Sequence, residues 1–151
     1  NAGNQSMFNQ IIIYNLNNKT KIDLFNNAIL YDYYKDKILL QEIDKNKNDK
    51  EEKILNVYDL INNKSLNIKF VKPYIYINDV IFYKNDSILI INNNNLLLYD
   101  INKNEYIEFL LKDINNFVSV KYNFTSDLLA IIGDDKKGER YLIFSKLDIL
   151  N

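Results

Sequence analysis

Two adjacent carboxylates, Asp134 and Asp135, follow Gly133, and clustered carboxylate oxygens are what a hard cation requires. A third and a fourth ligand are missing at any recognisable spacing, and an Asp between two apolar runs ties its own backbone into a turn. The turn role is therefore favoured for this pair. Asp59 and Asp100, each preceded by Tyr, likewise fit turns better than acid–base work. Carboxylates are plentiful, at 20 Asp and Glu residues, but nothing in one dimension sets two of them across a cleft. Absences decide more. With 0 His and 0 Cys, thiol catalysis, Cys/His zinc sites, His-ligated haem, disulfides and a Ser-His-Asp triad are excluded. The chain also lacks a Gly-rich phosphate loop and a nucleophile elbow. The expectation is a protein that is not an enzyme, with no catalytic, cofactor-binding or metal-ligating residue.

Aromatic and charged segments offer binding chemistry instead. The chain holds 12 Tyr and 8 Phe, densest in Tyr31-Asp32-Tyr33-Tyr34 and Pro73-Tyr74-Ile75-Tyr76. Tyr gives a large rigid contact area with a polar tip. Tyr74 and Tyr76, near Lys69 and Lys72, are a conceivable stacking platform for single-stranded nucleic acid, but alternation in a half-buried strand accounts for them. Charge agrees: 19 Lys and Arg against 20 Asp and Glu leave a net charge of -1, with no global field toward nucleic acid or an anionic membrane. Asp44 to Lys53 carries four positive and four negative residues and reads as a solvated, mobile insertion rather than a docking loop. Asn-x-Ser/Thr matches at Asn4, Asn18, Asn63, Asn85 and Asn123 reflect the abundance of Asn and the turn preference of Asn and Ser.

The elements that must position these residues are short strands. At 151 residues, 47% hydrophobic and 26% charged, the chain is one globular domain or part of a larger one. Apolar runs stop at about five residues, far below the roughly 20 of a membrane-spanning helix, so a soluble chain without membrane contact is expected. Residues 1–6, ahead of Met7, read as a disordered leader or a remnant of expression, and residues 7–151 as the folded segment. Helical spacing is hard to find, whereas β-branched and aromatic runs recur between Asn, Asp and Lys clusters. Thirteen strands are predicted: Gln10 to Asn15, Lys21 to Phe25, Ala28 to Tyr33, Ile38 to Ile43, Ile54 to Tyr58, Leu66 to Phe70, Asp79 to Tyr83, Ile88 to Ile91, Asn95 to Asp100, Tyr106 to Leu110, Phe117 to Tyr122, Leu128 to Ile132 and Tyr141 to Ser145. With only 3 Gly and 1 Pro, the turns rely on Asn and Asp, which tolerate left-handed backbone.

One segment recurs. Tyr14-Asn15, Tyr58-Asp59 and Tyr99-Asp100 each follow an aliphatic residue and precede a polar turn, with a weaker copy at Phe144-Ser145. The aromatic positions 14, 58, 99 and 144 are spaced by 44, 41 and 45 residues. A period of about 40 to 45 with four strands per unit is a signature of β-propeller blades. On these residues, and on the blade-like stretch Asn116 to Phe144, the chain resembles the WD-repeat family of propellers across residues 10–148. It departs from that family in having Tyr for Trp and no Gly-His dipeptide. The resemblance implies an all-β fold of antiparallel four-stranded blades, with blade parts at 10–25, 28–70, 79–110 and 117–148. That is about three and a half blades where closure takes about four to eight, leaving a ring that is open or completed by another chain. A β-sandwich or irregular solenoid is the alternative fold, and the regular spacing speaks against the sandwich.

Function follows from this reading as an expectation. The chain is a non-catalytic protein–protein interaction scaffold or assembly subunit, intracellular (cytoplasmic or nuclear), meeting a protein partner or itself through open strand edges. The alternative is a ligand-binding or carboxylate-based hydrolytic propeller whose remaining blades lie elsewhere, because glycoside chemistry needs no His.

Overall fold

A computed structural model describes residues 9–45, 51–68, 77–84, 86–92 and 94–145. The described residues form twelve strands in three antiparallel sheets and no helix, hence no helix long and apolar enough to cross a membrane. The strands fall largely where the β-branched and aromatic runs between Asn, Asp and Lys clusters put them. The chain divides into two compact units, Asn1–Lys69 and Phe70–Asn151.

The first unit is a meander in the order β1-β2-β3-β4-β5: β1 (Asn9–Asn15), β2 (Thr20–Tyr34), β3 (Lys37–Lys45), β4 (Glu51–Asp59) and β5 (Lys64–Ile68). Two separate strands were expected over 21–33, and the structure corrects this to one strand of 15 residues. Its first half pairs with β1 and its second with β3, the change of partner falling at Ala28. Asn27 absorbs the bend with φ 52°, a left-handed value that its short polar side chain permits. The strand expected over 66–70 runs instead from Lys64 to Ile68, residues 69 and 70 lying outside the described set. One face carries a cluster of Phe25, Ala28, Leu40 and Tyr58, with Ile11, Ile13, Ile38 and Leu60 packed against it. Phe25 and Tyr58 meet edge to face at 5.3 Å, a geometry worth about 0.5–1.5 kcal/mol beyond its area. Leu39, Leu55, Val57 and Ile68, which alternate with that face, are buried as well.

A second correction concerns the charged segment read as a loop over 44–53. Pairing of β3 with β4 continues through Asp44↔Glu52 to Lys45↔Glu51, so both flanks are strand, and only 46–50 fall outside the described residues.

The second unit holds two sheets. A four-stranded meander runs β6 (Asp79–Tyr83), β7 (Ser87–Ile91), β8 (Leu96–Asp100) and β9 (Glu105–Phe109). A three-stranded one runs β10 (Asn116–Asn123), β11 (Leu128–Asp134) and β12 (Arg140–Ser145). Between them lies the main core: Ile81, Tyr83, Leu89, Ile91, Leu96 and Leu98 against Phe117, Val120, Leu129 and Ile131. Full burial of each such aliphatic or Phe side chain stabilises by about 1.5–3 kcal/mol. The four-stranded sheet is buried on both faces, which is why Ile88-Leu89-Ile90-Ile91 is continuously apolar. Polar links fix the two sheets to each other. Asp79 accepts from the Val120 amide at 3.2 Å beside the β10 bulge, and the Asn78 side-chain amide donates to the Phe117 carbonyl at 3.0 Å.

Candidate functional site

The hairpin loops show first what the carboxylates do. Four loops of four residues have the same construction: Asn15 to Thr20, Asp59 to Lys64, Asp100 to Glu105 and Asn123 to Leu128. In each, the Asn or Asp Oδ1 accepts from two loop amides: residues 17 and 18, 61 and 62, 102 and 103, 125 and 126. The last loop residue, Lys19, Asn63, Asn104 or Asp127, has φ between 51° and 57°. The Tyr before the Asx closes the loop: Tyr14 donates to the Lys19 carbonyl at 2.6 Å, Tyr58 and Tyr99 to Asn63 and Asn104, and Tyr122 to Asp127 at 2.6 Å. The recurring Tyr-Asx pair is thus a turn device. Hydrogen bonds from the Asn62 and Ile61 amides and the Asn62 side chain hold the Asp59 carboxyl below its usual range. Burial raises the phenols of Tyr58 and Tyr99.

The sequence placed the fourth copy at Phe144-Ser145, but the fourth loop of this kind follows Tyr122-Asn123, between the first and second strands of its sheet. Its signal, Tyr-Asn followed four residues later by Asp, is present in the sequence but falls outside the 41-to-45 spacing. Asn18, Asn63 and Asn123 occupy these exposed loops, while Asn4 and Asn85 lie outside the described residues.

Asp134 and Asp135 are engaged within their own hairpin. Arg140 grips Asp134 through Nε at 2.8 Å and Nη2 at 3.1 Å, which pulls the carboxyl down and pushes the guanidinium up. Asp135 Oδ1 accepts from the amides of Lys137 and Glu139. The Tyr141 hydroxyl donates to Glu139 at 3.0 Å and Asp135 at 3.3 Å; the Glu139 bond and charge chiefly push its pKa up to about 12. Among the described residues no three His, Cys, Asp or Glu side chains are grouped to hold a metal ion. Of the aromatic clusters, Tyr31 donates to buried Gln41 at 2.8 Å and Tyr33 projects outward, whereas Pro73, Tyr74, Tyr76, Lys69 and Lys72 lie outside the described residues.

These interactions leave β12 firmly placed with a side uncovered. Register Ile131↔Ile143 puts Ile143 on the inner, core-packed face of the third sheet. Leu142 and Phe144 alternate with it and stand on the outer face, 57% and 58% exposed, across from Ile132 and Ala130. The next-to-last strands of the other two sheets, β4 and β8, present Leu55, Val57, Leu96 and Leu98, all buried, and each is flanked by a last strand. Among the described residues β12 has a neighbour on one side only. A sheet face of exposed Leu and Phe beside an open edge is chemistry for apolar docking and backbone pairing. The sequence marks Tyr141 to Ser145 as a strand but not as a surface, although the unbroken apolar run Tyr141 to Phe144 is what a strand meant for cover on both faces shows.

No protein-family model matches the chain, and a search of the curated proteins finds no match.

Proposed function

We propose that the chain is a non-catalytic interaction scaffold or assembly subunit, built as about three and a half blades of a WD-like β-propeller, with a protein partner and an intracellular setting. The observation that carries this reading is the outer face of β12, where Leu142 and Phe144 are 57% and 58% exposed beside an edge that no described strand occupies. The blade architecture draws support from the strand grouping: meanders over 79–109 and 116–145 follow the expected blade parts, and successive sheets of one unit share a core. Charged edge residues normally discourage such pairing, and β12 offers only Arg140, which is held by Asp134.

The test is the mass of the purified chain by light scattering over a wide concentration range. Without its partner, the open face is expected to associate with itself, giving a mass that climbs above 17.9 kDa. Replacing Leu142 and Phe144 by Asp, both at exposed positions, is expected to hold the chain at its monomer mass. A wild-type mass that never leaves 17.9 kDa would contradict an adhesive surface there.

A further inference from the structure

β5 and β9 show what the last strand of a meander looks like in this protein. In β5, Leu66 pairs with Val57, Asn67 with Asn56 and Ile68 with Leu55. In β9, Ile107 pairs with Leu98, Glu108 with Leu97 and Phe109 with Leu96. Both therefore follow one rule: two apolar residues, separated by Asn or Glu, continue the apolar face of the strand before them, and the residue between them points to the other side. Both are also protected as outer edges, by Lys64 in β5 and by Glu105 and Glu108 in β9.

β12 carries the acceptor half of the same arrangement. Phe144 and Leu142, like Val57 and Leu55 in β4 or Leu98 and Leu96 in β8, are two apolar residues two positions apart on one face of their strand, here the face opposite Ile143 and the shared core. The counterparts are at most 4% exposed; Phe144 and Leu142 are more than half exposed. Its six residues hold one charge, and that charge is spent within the sheet on Asp134.

We propose that the edge of β12 that no described strand occupies binds, antiparallel, an extended segment of another polypeptide with the pattern apolar–(Asn, Asp or Glu)–apolar, its apolar residues opposite Phe144 and Leu142. This deepens the scaffold reading and rests on it, naming the partner's chemistry. Main-chain hydrogen bonds along the edge supply the pairing, and the alternating side chains supply the register. Among the described residues, every strand of a second copy that carries this pattern is already paired within its own sheet, so a second copy is a poor strand donor even where its apolar face can associate.

The experiment uses the full chain and a fluorescent peptide with the β9 sequence Asn104 to Leu110. Saturable binding by anisotropy is expected, with amide shift changes along β12, weakened about tenfold or more by Leu142→Asp or Phe144→Asp. A peptide N-methylated at the alternate amides that face β12 keeps its side chains and is expected not to bind, which tests backbone pairing without altering the protein. Absence of saturable binding, or binding indifferent to both the Asp variants and N-methylation, would overturn the proposal. Should the solution mass still climb with concentration while the peptide fails to bind, this strand-addition proposal falls and the scaffold reading stands.

Discussion

The hydroxyl of Tyr122 donates to the carboxylate of Asp127 at 2.6 Å, spanning the hairpin loop that joins β10 to β11. Lys84 reaches the same carboxylate at 3.3 Å from the loop after β6. Burial alone would lower the Lys84 pKa; the Asp127 hydrogen bond and charge outweigh it and leave the ammonium raised. The ring of Tyr122 meets Tyr83 at a tilt at 4.5 Å and Phe124 edge to face at 4.8 Å, so one end of the second unit is tied by aromatic and polar contacts together. The same Tyr-to-loop closure recurs at Tyr14, Tyr58 and Tyr99.

If these closures stabilise the hairpins, removing one has a measurable cost. Tyr122→Phe deletes a single hydrogen bond and Asp100→Ala deletes two caps on loop amides, at about 0.5–1.5 kcal/mol per bond. A fall in Tm of roughly 2–4 °C per kcal/mol is expected for a chain of this size. Unchanged melting in both variants would show that the loops are held by backbone preference alone.

Gly133 tests the packing of the third sheet. A Cβ there would lie 2.6 Å from Ile114 Cγ2 and 3.2 Å from the Asn116 carbonyl oxygen. Gly133→Ala should destabilise by about 1–3 kcal/mol through overpacking. Adding Ile114→Ala removes the nearest atom, so the double variant should lose less than the sum of the single losses. Strict additivity in chemical denaturation would place the strain elsewhere.

The hairpin between β11 and β12 gives opposite responses at the two ends of the pH scale. Tyr141, with its pKa raised from 10.0 to about 12, donates while neutral. Its contribution is complete below pH 10 and is lost as pH rises from there through about 12. Asp134, lowered by the Arg140 hydrogen bond and charge, contributes above its unfolded value of 3.8 and loses that contribution as pH falls through the lower folded value. Resolved titrations should show the Tyr141 midpoint dropping in Glu139→Gln and the Asp134 midpoint rising in Arg140→Gln. Midpoints that stay put would mean that neither contact persists in solution.

Much of this fold was legible because the forces that set it are local. Short apolar runs set off by polar clusters placed the strands to within a residue or two from Asp79 to Phe109. Tyr58-Asp59 and Tyr99-Asp100 were recognised as turns for a sound reason, since an Asx oxygen reaches the amides two and three residues on. What escaped was decided by pairing at a distance. Nothing local in Asn26-Asn27 distinguishes a chain break from a strand that changes partners while one residue turns left-handed. Nor do the charges of Asp44, Lys45, Glu51 and Glu52 announce a ladder, because cross-strand register, not hydrophobicity, extends it. The β12 surface was invisible for the same reason: an apolar run states that cover is wanted and not whether the cover is present.

Amide hydrogen exchange along β12, compared with β8, tests the open edge most directly. The account predicts that the alternate amides of Arg140–Ser145 that point away from β11 exchange fast, while their counterparts in Leu96–Asp100, bonded to β9, are strongly protected. Equal protection on both sides of β12 in the isolated chain would show that the edge is already filled, and would contradict its role as a docking site.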